Sequence, residues 1–139
     1  MKKIFTVIAI LLSLSLLASC GDTKEKADTK KQSDIKNTYI SHEVKDLDGD
    51  SCIAVYTEFE NNSDETVEPS DVSDMKAYQN GVEIDNTVLP NRDISDAVNC
   101  DTEVRPDTKT KVMWSWILKD KSQVTLVFSD GQEKKIDLE

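Results

Sequence analysis

The feature that most constrains this chain is a two-residue alternation over residues 52–60. Ile53, Val55, Thr57 and Phe59 fall on one side of an extended backbone, and Cys52, Ala54, Tyr56 and Glu58 on the other. A helix would scatter these apolar groups around its axis, whereas a strand collects them on one face. The same short-period pattern recurs downstream, cut at close intervals by Asp48-Gly49, Asn80-Gly81 and Asp130-Gly131. Such pairs tolerate the positive φ angles of tight hairpin turns. Strands are therefore expected over residues 39–45, 52–60, 75–79, 82–85, 110–118, 123–129 and 133–138. The segment 86–108, with Pro90, Asn91 and Pro106, reads as a long connection with a turn of helix near residues 94–98. About seven strands in roughly a hundred residues give an all-β fold, an immunoglobulin-like antiparallel β-sandwich. A closed small barrel is the alternative.

The 139 residues allow one such domain, and the first 36 do not belong to it. Lys2 and Lys3 precede an apolar run from Ile4 to Leu17 that holds nothing more polar than threonine and serine, the pattern of an export signal. As a helix these residues would reach only about 21 Å, short of the roughly 30 Å of bilayer hydrocarbon, so a cleaved leader is expected in place of a permanent span. The run ends in Leu17-Ala18-Ser19-Cys20, which resembles the lipobox of bacterial lipoproteins. That resemblance implies cleavage after Ser19, a diacylglycerol thioether on Cys20, and a protein anchored to the cell membrane facing outside the cytoplasm. Two or three acyl chains hold a protein on a bilayer where one barely does, at about 0.8 kcal/mol per buried methylene. Residues 1–19 are thus expected to be a signal peptide and 20–36 a lipidated cysteine with a disordered, charge-mixed tether. The folded domain is expected over 37–139.

The leader holds two of the 17 basic groups and none of the 27 acidic ones, so its removal takes the formal charge from −10 to −12. An acidic body of this kind repels phosphate backbones, which argues against nucleic acid as a partner. Seven acids and no base lie between Glu58 and Asp74. A solvated face accounts for such a run, and recruitment of a cationic partner is the functional alternative. Asp46, Asp48 and Asp50 suggest calcium until the loop register is checked: Ser51 and Thr57 stand where an EF-hand needs glycine and glutamate. No metal or other cofactor is expected. The lone His42 has no glycine-flanked serine or reactive cysteine to serve, so no catalytic residues are assigned.

Two pairs of residues remain. Cys52 and Cys100, in an exported protein, read as a disulfide; closing their loop would add roughly 4 kcal/mol in the chain-entropy model. Two buried free thiols are the alternative, because no tryptophan lies between them as it does in antibody domains. Trp114 and Trp116 share a face with Val112 and Leu118. They are read either as core bulk or as an exposed aromatic strip that stacks on sugars or a partner protein.

Residues 56–65 (YTEFENNSDE), residues 78–84 (YQNGVEI), and a proline ahead of a long strand ending Leu118-Lys119-Asp120 resemble the small immunoglobulin-like lipoproteins of Gram-positive bacteria, a family of unknown function. The likeness spans nearly the whole folded unit. Pro106-Asp107 stands where the family pattern has proline-glycine. The resemblance implies a surface-attached sandwich and brings no catalytic residues. The expectation is a non-catalytic interaction module for an unidentified protein, peptide or envelope component. An acidic protein that protects the envelope by capturing cationic peptides or ions, or an accessory subunit of a transporter, are the alternatives.

Overall fold

The computed structural model describes residues 34–90 and 96–139. The leader, Cys20 and most of the expected tether lie outside the described residues, as do the first two positions of the expected helical turn at 94–98. In chain order the elements are β1 (Ile35–Leu47), β2 (Asp50–Asn61), the single-turn α1 (Pro69–Val72), β3 (Lys76–Gln79), β4 (Val82–Glu83), β5 (Val98–Asn99), β6 (Thr108–Ile117), β7 (Val124–Val127) and β8 (Glu133–Ile136). They form two four-stranded sheets, ordered β1-β2-β6-β5 and β4-β3-β7-β8. This is the all-β sandwich that the alternation predicts.

The hairpins sit where the turn dipeptides place them. Asp48 and Gly49 have φ of 54° and 96°, Asn80 and Gly81 of 51° and 77°. Consecutive positive φ values match the right-handed twist of the strands they join. Between the sheets, Ile53, Val55 and Phe59 of β2 pack with Val112, Trp114 and Trp116 of β6 and with Ala77, Val124 and Leu126 from the second sheet. Trp114 donates its indole N–H to the Thr57 hydroxyl at 2.9 Å, which satisfies a polar atom that the core would otherwise strand.

Four expectations need correction. First, β1 begins at Ile35, two residues inside the expected tether. Ile35 opposes the fully buried Asn61 and packs on the core, so it has a place to bury that composition alone does not reveal. Second, the connection over 86–108 is not plain loop. After β4, Asp85 and Thr87 pair with β6 of the other sheet (Ile117 N–H to Asp85 O and Thr87 N–H to Ser115 O, both 2.9 Å). Leu89, 1% exposed, then joins a second apolar cluster with Cys52, Ala54, Tyr56 and Met113. Third, Val98, where the helical turn was expected to end, is in β5, and β5 runs parallel to β6. Among the described residues the sandwich therefore has eight strands and one parallel pair. Fourth, α1 is an unexpected turn of helix started by Pro69, whose missing N–H costs nothing at that position.

The expected Cys52–Cys100 bridge is also absent: both thiols are free. Cys52 belongs to the outer cluster and Cys100 packs against the inter-sheet core, on opposite faces of the first sheet. β6 lies between β2 and β5, so two strand spacings of about 4.8 Å already separate the backbones by more than a disulfide spans.

Candidate binding surface

The tryptophans are not a binding strip. Trp114 and Trp116 are 5% and 3% exposed and fill the core. His42 accepts or donates one hydrogen bond with the Tyr39 hydroxyl, 2.7 Å from Nδ1. The aspartates at 46, 48 and 50 serve the turn, where the Gly49 N–H donates to Asp46 Oδ1 at 3.0 Å. What remains is the acidic run, and the structure divides it.

Its first two members lie on β2 and are neutralised from the strands on either side, β6 and β1. Lys109 Nζ stands 2.6 Å from Glu58 and 3.2 Å from Glu60, with Lys36 at 3.8 Å from Glu60. The Lys109 hydrogen bond holds the Glu60 carboxyl below its usual range, and Glu58, then Glu60, raise the Lys109 ammonium. The later members leave the sheet. Asn61, fully buried at the end of β2, organises this departure. Its Nδ2 donates to Glu65 O (2.8 Å) and Val104 O (3.0 Å), while its Oδ1 accepts from the Ser63 N–H (3.1 Å) and hydroxyl (2.6 Å). One amide thereby joins the turn after β2 to the approach to β6.

Beyond it, Val67 and Val104 exchange backbone hydrogen bonds of 3.0 and 2.7 Å, and the Ser70 N–H donates to Cys100 O at 2.8 Å. These clamps hold α1 against the 100–104 segment. Between them lies a cleft of about 250 Å³ lined by Thr66, Val67, Glu68, Asp71, Val72 and Glu103. Three carboxylates and two valines thus share one concavity. Among the described residues no cation pairs with Glu68, Asp71 or Glu103. Nor do any three or more His, Cys, Asp or Glu side chains there come together as a metal-binding group. The arrangement suits a long cationic side chain, whose methylene stem packs on valine while its charged head meets carboxylate.

A second cleft, about 340 Å³, is lined by Asp74, Lys76, Glu83, Asp85 and Asn86 together with Met75, Ile84 and Trp116. Its charges are largely matched internally, with Lys76–Glu83 at 3.7 Å and Lys119–Asp85 at 2.9 Å. It therefore attracts a cation less strongly than the first. On the outer face of the first sheet, Tyr56 donates to Glu43 beneath Lys111, whose Nζ lies 4.5 Å from the ring centre. Burial first, then Glu43, pushes the Tyr56 phenol up to about 12, so this hydroxyl is a structural donor.

A family profile described as a domain of unknown function, DUF5067, matches residues 17–130. The chain belongs to the DUF5067 family. No curated protein and no solved structure matches it. The DUF5067 match covers the lining of both clefts and ends before β8. Of the first cleft, the sequence shows Glu68 and Asp71 as part of an acidic run; Glu103 is missed, because it arrives only through the Val67–Val104 pairing and no local pattern marks it.

Proposed function

We propose that this chain is a lipid-anchored, extracytoplasmic lipoprotein whose sandwich is a non-catalytic recognition module, and that the cleft beside α1 takes cationic segments of a peptide, protein or envelope component. The finer fold reading is an immunoglobulin-type sandwich. It is supported by the sheet orders, which correspond to A-B-E-D and C′-C-F-G when the strands are lettered along the chain, β5 departing from that type by its parallel pairing. The anchor is supported by Leu17-Ala18-Ser19-Cys20 after an apolar leader.

The observation that carries the binding reading is the union of Glu68, Asp71 and Glu103 around Val67 and Val72, with no cation paired to them among the described residues. Binding of this kind is long-range and screened, with a Debye length of about 8 Å at physiological salt. Calorimetric titration with an oligolysine peptide tests it. Heat of binding at low salt that fades at high salt, and that is lost in Glu68→Gln/Asp71→Asn/Glu103→Gln, supports the reading; equal binding by the triple variant refutes it. For the anchor, Cys20→Ser is expected to release the protein from membranes, and retention of that variant in the membrane fraction would refute it.

A further inference from the structure

We infer that β1 is a self-complementary edge through which two copies of this chain pair antiparallel, in the register where residue numbers on the two copies sum to 79. β1 stands at the end of its sheet; β2 takes one edge and no described strand takes the other. Long open edges of this kind are templates for pairing with another strand. Thirteen residues make β1 the longest strand among those described, and it exposes Ile40 (47%) and Val44 (51%).

The backbone fixes which registers are allowed. The Asn62 N–H donates to Asp34 O, so even positions at the start of β1 turn their hydrogen-bonding groups toward β2, and Ile35, Asn37 and Tyr39 turn theirs outward. The irregularity between Tyr39 and Ser41 shifts the phase by one, so that His42 and Val44 point outward beyond it. The side-chain faces shift in step. Ile35 and Asn37 oppose Asn61 and Phe59, while His42 and Val44 oppose Val55 and Ile53. A two-fold axis normal to the sheet must join outward positions to outward positions and like face to like face. Across this bulge only odd sums do both.

Charge then selects among the odd sums. At 79, Lys36 meets Glu43 and Asp34 meets Lys45, each twice by symmetry, with Ile35 beside Val44 and Asn37 beside His42. The neighbouring register at 81 sets Lys36 against Lys45, and that at 77 sets Asp34 against Glu43, both like-charged. Both decisive side chains reach solvent: Lys36 is 65% exposed with a 3.8 Å contact to Glu60, and Glu43, which meets Lys45 at 3.0 Å and accepts from Tyr56, is still 47% exposed. The bulge, which usually blunts an edge, here lies on the symmetry axis and sets the parity of the pairing. The dimer would carry one continuous eight-stranded sheet.

The test is sedimentation equilibrium of the full chain in density-matched detergent. The wild type is expected at twice the monomer mass. Lys36→Glu and Glu43→Lys each convert two attractive cross-strand pairs into repulsive ones and should weaken the dimer about tenfold or more. Mixed in equal amounts, the two variants restore both attractive pairs and should return the dimer to wild-type strength, which a misfolded variant could not do. A monomeric wild type up to about 0.5 mM, a dimer indifferent to either reversal, or a mixture no tighter than its parts would each overturn the inference.

Discussion

Replacing Asn61 by alanine should be among the most damaging single changes at the acidic end. The side chain makes four hydrogen bonds of 2.6–3.1 Å from a fully buried position. Truncation leaves the Ser63 N–H without its partner and takes one bond each from the Ser63 hydroxyl and the Glu65 and Val104 carbonyls, which keep the 3.2 Å Ser63–Glu65 contact and the Val67 N–H. At about 1 kcal/mol net for each buried bond, the expected loss is about 3–4 kcal/mol, a large part of the 5–15 kcal/mol that holds a domain of this size. Asn61→Asp sharpens the test. It keeps the two acceptor bonds to Ser63 but replaces the donors with a carboxylate oxygen facing two carbonyls, so the folded state should hold this carboxyl above its unfolded value. A raised acid is harmless below the unfolded pKa, near 3.9, and costs about 1.4 kcal/mol per pH unit from there up to the folded pKa. The Asp variant should therefore be worse at pH 7 than at pH 4, each measured against Ala at the same pH. Urea unfolding followed by emission of the buried Trp114 and Trp116 reads both effects. With a slope of about 1–3 kcal/mol per molar urea, the Ala midpoint should fall by about 1–4 M. An unmoved Ala midpoint, or an Asp variant with no pH dependence, refutes the role assigned to this amide.

Tyr56 should give the domain an alkaline limit. Its phenol ionises near 10 when unfolded and at about 12 when folded, so between those values the unfolded chain releases the proton first and stability declines with rising pH. Tyr56→Phe should make that decline shallower in pH-dependent unfolding, leaving the parts due to Tyr39, Cys52, Cys100 and Lys109, which the fold also raises; an unchanged slope counts against it. Asp107 occupies φ 52°, a region that favours glycine. Asp107→Gly should raise stability by about 0.5–1 kcal/mol, and a lower melting temperature would contradict the assignment. Cys52 and Cys100 should each take one alkyl group after unfolding without reductant. In the folded protein they should react slowly, since burial raises both thiols, Cys100 to about 11. A mass showing no uptake at either site would restore the disulfide.

What could be read from the sequence was local. The alternation over 52–60 and the Asp48-Gly49 and Asn80-Gly81 turns specify strands and hairpins because neighbours along the chain dictate them. What escaped was long-range. β5 is two residues borrowed by the edge of β6, and α1 is held by Cys100 O from thirty residues away. The bridge between Cys52 and Cys100 was inferred from compartment, while the alternation itself puts Cys52 opposite Ile53 and Val55 and so outside the core that Cys100 joins. Glu103 is a similar case: its place in the cleft depends on the Val67–Val104 pairing, which leaves no mark in either segment alone.

The proposed recognition is assigned to one surface, the cleft where Glu68, Asp71 and Glu103 converge. Mapping amide shifts in ¹⁵N-labelled protein during titration with an oligolysine peptide reads that surface directly. The largest changes are expected at residues 66–72 and 103, saturating together and collapsing as salt is raised. Shifts confined to other parts of the sandwich, or none at low salt, would contradict the claim that this end of the domain is where the protein meets its partner.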